Sequence, residues 1–210
     1  MLLDAAHHGW IRAYEVLPLR RVCDDDAMSF AEHLERFLPD RSQAVIAPVR
    51  AGVEERIPGF RVLRVEPAQT GDPWLYATSG AAGSRADGDE GAEYVLLAPA
   101  QDPVIVEMLA ALATVNADAP EGLGVGSILA LGRPWIARSW ARHLLVLPPY
   151  PFGPGFEVYR KGERRTVVLW LVPILAVEAQ YVREHGYKAL EQIFETRKVN
   201  VADPARTSVI

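Results

Sequence analysis

Few residues of this sequence have the type and spacing that metal chemistry needs. Its five histidines are His7, His8, His33, His143 and His185. None stands four positions from another with a glutamate between them, as the helix of a zinc protease requires. The adjacent pair at positions 7 and 8 points to different sides of any regular element. The sequence therefore predicts no metal site.

Nucleophilic chemistry is no better supported. Ser79 precedes a glycine-rich turn, but it lacks the preceding glycine and the following helix of a nucleophile elbow. Cys23 precedes three aspartates, whose negative charge would raise the pKa of its thiol rather than lower it. The glycines of residues 122–126 form neither a dinucleotide fingerprint nor a phosphate loop with its lysine. We predict no catalytic residue and no cofactor, and an enzyme of another type stays the third alternative.

Composition limits the possible partners and compartments. Half of the 210 residues are hydrophobic and 23% are charged, which is typical of a globular protein. A net charge of −5 without a basic run argues against nucleic acid. No apolar run reaches the roughly 18 residues that a membrane helix needs. The single cysteine excludes an internal disulfide, and the N-terminus lacks the pattern of a signal peptide, so we expect a cytoplasmic protein with no membrane partner.

The elements that would position these residues alternate between helices and strands. Ser29 and Glu32 form a capping-box pair that predicts a helix over residues 29–38. Asp102 and Pro103 begin a second helix, over 103–115, and two short helices are predicted within 176–196. Residues 2–14 have weaker helical character. Short segments rich in branched and aromatic residues predict strands at 44–49, 60–65, 74–79, 94–98, 128–131, 143–147, 155–159 and 166–173.

The last of these strands is apolar on both faces, which places it at the centre of the sheet. Residues 79–91 read as a long loop between strands, residues 147–155 as a proline-stiffened loop, and 161–163 as a hairpin turn. The sequence thus predicts an α/β (α+β) fold, a mixed and mostly antiparallel sheet with helices packed on it. We expect one domain over residues 1–210, with a core at 29–196 and a tail at 197–210 that either docks or is mobile.

Several segments in order match a known pattern: Trp74 to Gly80, Glu93 to Leu97, His143 to Leu147 with its prolines, and Trp170 to Ile174 followed by Glu178, Gly186 and Leu190. Together they resemble the suppressor-of-fused (Sufu) family of the bacterial type, from about Phe30 to the tail at 203–209. Ala81 and Ala82 depart from the pattern, since we expect a larger residue there in many relatives.

This resemblance implies a domain without catalytic residues. In animals, similar domains form the N-terminal half of a regulator that holds a transcription factor by a peptide added as a strand. In bacteria, related domains are proposed immunity proteins that neutralise polymorphic toxins. Because the sequence ends at Ile210, we do not expect the two-domain clamp of the animal protein.

Two surfaces are candidates for contact with a partner. Asp87, Asp89 and Glu90 lie in the 79–91 loop and could attract a basic partner such as a nuclease toxin, or could simply be solvated. Tyr150, Phe152 and Phe156 lie on the proline-rich loop, where aromatic residues make good interface anchors. Their alternative role is to cover the core. An exposed sheet edge would be a third site, but the sequence does not show which strand is at the edge.

From these observations we expect a non-enzymatic protein-binding domain. The first hypothesis is a bacterial immunity protein that binds a toxin domain stoichiometrically. The alternative is a regulatory module that binds a peptide by strand addition and is unrelated to toxins.

Overall fold

The computed structural model describes residues 29–84, 90–118, 122–161 and 164–210. Eight strands form one sheet, and they are β1 (Gln43–Ile46), β2 (Arg61–Val65), β3 (Trp74–Ser79), β4 (Glu90–Ala98), β5 (Ile128–Ala130), β6 (His143–Leu147), β7 (Val158–Lys161) and β8 (Arg164–Ile174). The helices are α1 (Phe30–Phe37), α2 (Val53–Arg56), α3 (Pro103–Asp118), α4 (Ala176–His185) and α5 (Tyr187–Thr196). The predicted mixed α+β fold is confirmed.

The strand order is β1-β2-β3-β4-β8-β6-β5, and β7 pairs with the beginning of β8 outside this path. Only the β4–β8 pair is parallel among the described strands. The prediction that the last strand is central is therefore correct. The described sheet ends at β1 on one side and at β5 on the other.

The side chains of β8 divide the core into two layers. Val168, Trp170 and Val172 pack with α1, α4 and α5 on one face of the sheet. Leu169 and Leu171 pack with α2 and α3 on the other. Successive side chains of a strand point to opposite faces, so an apolar strand of this length requires a helical layer on both sides.

Local sequence signals place several elements correctly. The Ser29 side chain accepts a hydrogen bond from the Glu32 N–H, and the Glu32 carboxylate accepts one from the Ser29 N–H, so α1 begins with the predicted capping box. Strands β3 and β6 have the predicted bounds. The helical prediction at residues 2–14 lies outside the described residues, as does most of the predicted 161–163 turn. Lys161 at the end of β7 and Arg164 at the start of β8 are partners in the register of these two strands.

Other boundaries differ from the prediction. Strand β1 ends at Ile46 rather than at 49, and the Val49 N–H instead donates to Glu107 Oε1 at 2.7 Å. Strand β7 begins at Val158 rather than at 155, because Phe156 turns into the core. Strand β4 begins four residues before the predicted 94, α3 extends three residues beyond the predicted 115, and α2 was not predicted at all.

The tail after α5 docks on the domain, which settles the alternative left open by the sequence. The Arg206 guanidinium donates to both oxygens of Glu178, at 2.6 and 2.7 Å, and to the Pro173 carbonyl at 2.8 Å. Glu178 is fully buried and also accepts from the Leu175 N–H at the start of α4. Val201 and Ala202 of the tail are buried in the core layer that includes residues of α4 and α5. The tail thus closes over the end of β8.

Replacing Arg206 should strongly destabilise the fold. Arg206→Ala would leave the buried Glu178 carboxylate without its cation, and we expect a loss of about 3 kcal/mol or more in the free energy of unfolding. Arg206→Lys should cost less, since it keeps the charge but not the two-point geometry. Urea unfolding measures both.

The matched control is Arg56→Ala, which breaks an ion pair with Asp118 whose side chains are 55% and 62% exposed. That change should cost less than about 1 kcal/mol. Equal losses for Arg206→Ala and Arg56→Ala would contradict the structural role given to the tail.

Candidate functional site

The described residues contain no arrangement typical of a metal centre or a catalytic pocket. No group of three potential metal ligands occurs among them. Two shallow hollows have volumes of about 270 and 340 Å³. Neither is lined by histidine, serine or cysteine. Ser79 ends β3, and Cys23 lies outside the described residues. The described helices include none long and apolar enough to span a bilayer.

Glu93 is a carboxylate that lies almost fully buried within β4. The Thr78 hydroxyl donates to its Oε2 at 2.5 Å, and the N–H groups of Gly80 and Ala82 donate to its Oε1 at 2.8 and 3.2 Å. Burial raises the pKa of Glu93, while these hydrogen bonds act in the opposite direction. With both oxygens occupied by protein donors and no access to solvent, Glu93 holds the turn after β3 in place.

That turn is packed too closely for large side chains. A Cβ added to Gly91 would lie 2.6 Å from the Cβ of Ala82, and the Arg164 guanidinium donates to the Ala82 carbonyl. The small residue at position 82 therefore fits the close approach of the turn to β4.

The aromatic loop, residues 148–156, is anchored on α1. Phe156 is fully buried and contacts Phe37 and Phe152, with ring centroids 5.4 and 4.4 Å away. His33 Nε2 lies 3.0 Å from the Phe156 carbonyl oxygen, so it carries a proton and donates it. Burial lowers the pKa of His33 and keeps its ring neutral, although the hydrogen bond to Phe156 partly opposes this. Phe156 therefore covers the core, which was the alternative to a partner contact.

Tyr150 is the side chain that this loop presents to solvent. It is 50% exposed and begins a short 3-10 turn with Pro151 and Phe152, which is half-buried. Partial burial, together with the nearby Glu191 carboxylate of α5, raises the pKa of the Tyr150 hydroxyl. The Tyr150 N–H donates to the Pro148 carbonyl at 2.9 Å, and the Gly153 N–H donates to the Tyr150 carbonyl at 3.2 Å. The backbone that carries the ring is thus fixed before any partner arrives, which lowers the entropic cost of binding.

The predicted acidic residues fall at the limit of the described structure. Asp87 and Asp89 lie outside the described residues, and Glu90 begins β4, where its backbone pairs with Arg165. They stay a prediction from the sequence.

The sheet edge at β1 is a site that the sequence could not locate. The Glu66 N–H donates to the Ser42 carbonyl at 3.0 Å, and Gln43 faces Val65 in the register. In an antiparallel ladder only every second residue bonds the neighbouring strand. Gln43 and Val45 therefore direct their N–H and C=O groups to the open edge.

Side chains at this edge suit an added strand. Val45 is 66% exposed, which is unusual for a branched apolar residue in a strand. The smaller hollow lies beside β1 and is lined by Ala31, Glu32, Glu35, Arg41 and Gln43. An extended peptide paired with β1 would have this groove of α1 available for its side chains.

These features define an α+β domain that offers an open strand edge and an exposed aromatic side chain on a fixed turn for contact with another polypeptide. The family model of the suppressor of fused protein (SUFU) matches residues 57–207. The chain belongs to the suppressor of fused family, as the sequence motifs predicted. Membership supports a non-enzymatic protein-interaction module.

Solved structures agree with this assignment. A protein described as a SUFU homolog from Neisseria gonorrhoeae FA 1090 has a TM-score of 0.76 and 28% identity, covering 86% of this chain and 94% of that one. A chain of the Sufu–Fu complex has a TM-score of 0.61 and 12% identity, covering 79% of this chain and 82% of its own.

Drosophila Suppressor of Fused has a TM-score of 0.62 and 13% identity; 86% of this chain matches half of that protein. At these identities the latter two show a shared fold alone. No curated protein matches the sequence.

Replacing Glu93 tests whether it is structural. Glu93→Leu would leave the donors of Thr78, Gly80 and Ala82 without an acceptor, and we expect a loss of about 3 kcal/mol in the free energy of unfolding. Glu93→Gln keeps one oxygen for the two N–H groups and should cost less.

Because the folded-state pKa of Glu93 is raised, its contribution to stability falls as pH rises above its ordinary value of about 4.5. Urea unfolding at several pH values should show that Glu93→Gln removes this dependence; an unchanged pH profile would contradict it.

His33 should make stability sensitive to mild acid. Its folded-state pKa is lowered, so its contribution is complete above its ordinary value of about 6.5 and is lost as pH falls below it. His33→Gln can still donate to the Phe156 carbonyl but does not titrate. Between about pH 6.5 and 5 the wild type should lose more unfolding free energy than this variant, as followed by thermal or urea unfolding. Parallel curves for the two proteins would show that His33 is not the titrating group.

Proposed function

We propose that this chain is a non-enzymatic protein-binding domain that acts in the bacterial cytoplasm as an immunity protein and neutralises a polymorphic toxin by stoichiometric binding. The observation that carries the proposal is Tyr150, a half-exposed aromatic side chain on a turn that backbone hydrogen bonds fix and that the contact between Phe152 and the buried Phe156 anchors. Tyrosines in such settings are frequent binding hot spots. Family membership and the similar bacterial protein support the role.

In this proposal the two predicted surfaces have different tasks. Tyr150 anchors the toxin, with Phe152 at the margin of the contact and Phe156 supporting the loop from the core. Asp87, Asp89 and Glu90 attract a basic toxin domain such as a nuclease, because opposite potentials accelerate association. We treat residues 1–210 as one binding domain, which the shared sheet and the docked tail support.

The open edge of β1 favours the second candidate function, a regulatory module that binds an extended peptide by strand addition. The outward N–H and C=O groups of Gln43 and Val45 are the backbone partners that such a peptide needs. The adjacent groove of α1 would read its side chains. This candidate requires no toxin, and its contacts lie on β1 rather than on the aromatic loop.

Co-expression tests the immunity role. Cells that produce a toxin domain encoded beside this gene should survive when the chain is co-expressed, and the purified proteins should form a complex of fixed stoichiometry by titration calorimetry. Tyr150→Ala should weaken the complex about tenfold or more, since it removes an anchor without disturbing the core. Val177→Ala, at an exposed position of α4, is the matched control and should bind as the wild type does.

A second pair of variants distinguishes strand addition. Val45→Pro removes only an outward N–H, which the β1–β2 ladder does not use, whereas Val45→Ala keeps it. Loss of binding with Val45→Pro alone would assign the partner to the β1 edge. Death of cells that contain the folded chain, with no complex in solution, would overturn the immunity role.

A further inference from the structure

An exposed tryptophan lies in the connection between β5 and β6. We call residues 131–142 the β5–β6 loop. Trp140 in this loop is 70% exposed, whereas Trp135, Ile136 and Ala141 are buried in the core layer beneath α3. The loop therefore has its own apolar anchors, and the indole of Trp140 is left in solvent.

Hydrogen bonds fix the shape of this loop. The Leu131 N–H donates to the Arg142 carbonyl at 2.9 Å, and the Trp135 N–H donates to the Ala141 carbonyl at 3.1 Å. The Ser139 hydroxyl accepts from the Ala141 N–H at 3.1 Å. These contacts hold the two halves of the loop side by side, so the exposed indole is carried by a fixed backbone.

Arginines flank the exposed indole. Arg138, Trp140 and Arg142 are exposed, whereas the two residues between them are buried. This alternation shows that the indole and both guanidinium groups share the outward side of the loop. Arg133 is also exposed, and it lies in the half of the loop that bonds this stretch.

The sequence around the loop carries no negative charge. Residues 122–156 include no aspartate or glutamate, although the whole chain has a net charge of −5. Among the described residues, no carboxylate forms an ion pair with Arg133, Arg138 or Arg142. These three guanidinium groups are therefore available to an anion from outside the chain.

A fourth arginine adds to this positive region. Burial and then the nearby Arg183 of α4 lower the pKa of His143, so a guanidinium lies close to the residue that follows the loop. At physiological ionic strength, charges are screened over about 8 Å, so acidic residues farther away than this contribute little. The local potential is therefore positive on a chain whose net charge is negative.

We propose that the β5–β6 loop attaches the domain to the surface of a bilayer that contains anionic phospholipids. Trp140 enters the interfacial layer of headgroups, and Arg133, Arg138 and Arg142 bind lipid phosphates. Indole rings are enriched at membrane interfaces, and arginine binds phosphate through two hydrogen bonds. Attachment of this kind does not require a helix that spans the bilayer.

This attachment differs from the expectation of no membrane partner. That expectation came from the lack of a long apolar run, which concerns spanning segments rather than surface binding. One indole and a few arginines give a reversible and salt-sensitive interaction. The loop precedes β6 and Tyr150 follows it, so the two surfaces are separate, and the proposal does not depend on an immunity role.

A bilayer fits this surface better than an acidic protein does. A hot spot between proteins is enclosed by packed neighbours that exclude water. The apolar neighbours of Trp140 in the loop are instead buried in the core, and the two hollows described above lie beside α1 and beside α4 and α5. A layer of lipid headgroups receives an indole without a shaped pocket.

Co-sedimentation with vesicles tests the proposal. The purified wild-type chain is mixed with vesicles of phosphatidylcholine alone, or of phosphatidylcholine and phosphatidylglycerol in equal parts. The chain should bind the anionic vesicles about tenfold more strongly, and added salt should weaken this binding. Lipids with brominated acyl chains should quench the tryptophan fluorescence of the wild type more than that of Trp140→Ala, because the indole of Trp140 enters the interfacial layer.

Matched variants locate the binding site. Trp140→Ala should weaken binding to the anionic vesicles about fivefold or more, and Arg142→Glu about tenfold or more. Val49→Ala and Arg50→Glu, at exposed positions after β1, should bind as the wild type does. The two glutamate variants change the net charge equally, so a difference between them comes from position. Circular dichroism and the thermal midpoint show that each variant is folded.

Several results would overturn the proposal. These are equal binding to the two kinds of vesicle, equal binding by wild type and Trp140→Ala, and equal losses for Arg142→Glu and Arg50→Glu. Stronger binding of labelled single-stranded DNA or of polyglutamate than of vesicles would assign the loop to nucleic acid or to an acidic protein instead. Self-association that Trp140→Ala abolishes would assign it to a second copy. Failure of toxin protection would leave these outcomes unaffected.

Discussion

Burial of β8 on both faces is the constraint on which the rest of the structure depends. The strand pairs with β4, β6 and β7, and its alternate side chains enter two separate core layers. Helices must therefore cover the sheet on both sides, and the tail must close over the end of the strand. The open backbone groups of the described sheet are consequently found at its periphery, on β1 and β5.

The buried polar groups also connect separate segments of the chain to one another. Glu93, Glu178 and His33 are nearly inaccessible, and each bonds protein donors or acceptors that join one segment to another. A buried carboxylate without such partners would cost several kcal/mol, on the order of what a small domain gains in net stability. Their arrangement stabilises connections rather than aiming reactive atoms at a cleft, which agrees with membership of a protein-interaction family.

Most helices and strands could be predicted from local sequence patterns. The features that could not be predicted depend on contacts between residues far apart in the chain. The capping box at Ser29 and the apolar runs of β3 and β6 depend on neighbouring residues only. The edge position of β1, the turn of Phe156 into the core and the ion pair of Arg206 depend on residues far apart in the chain. A carboxylate within an apolar strand was the available signal for Glu93, but its partners at Thr78 and Gly80 become apparent only from the register.

Hydrogen exchange on the complex with the proposed toxin partner tests the central claim, that activity lies in protein contact at the surface of this domain. Amides of the aromatic loop around Tyr150 or of the edge strands should exchange more slowly in the complex, while those of β8 should exchange slowly with and without the partner. Unchanged exchange at all of these surfaces, together with measured turnover of a substrate by the chain alone, would contradict the claim.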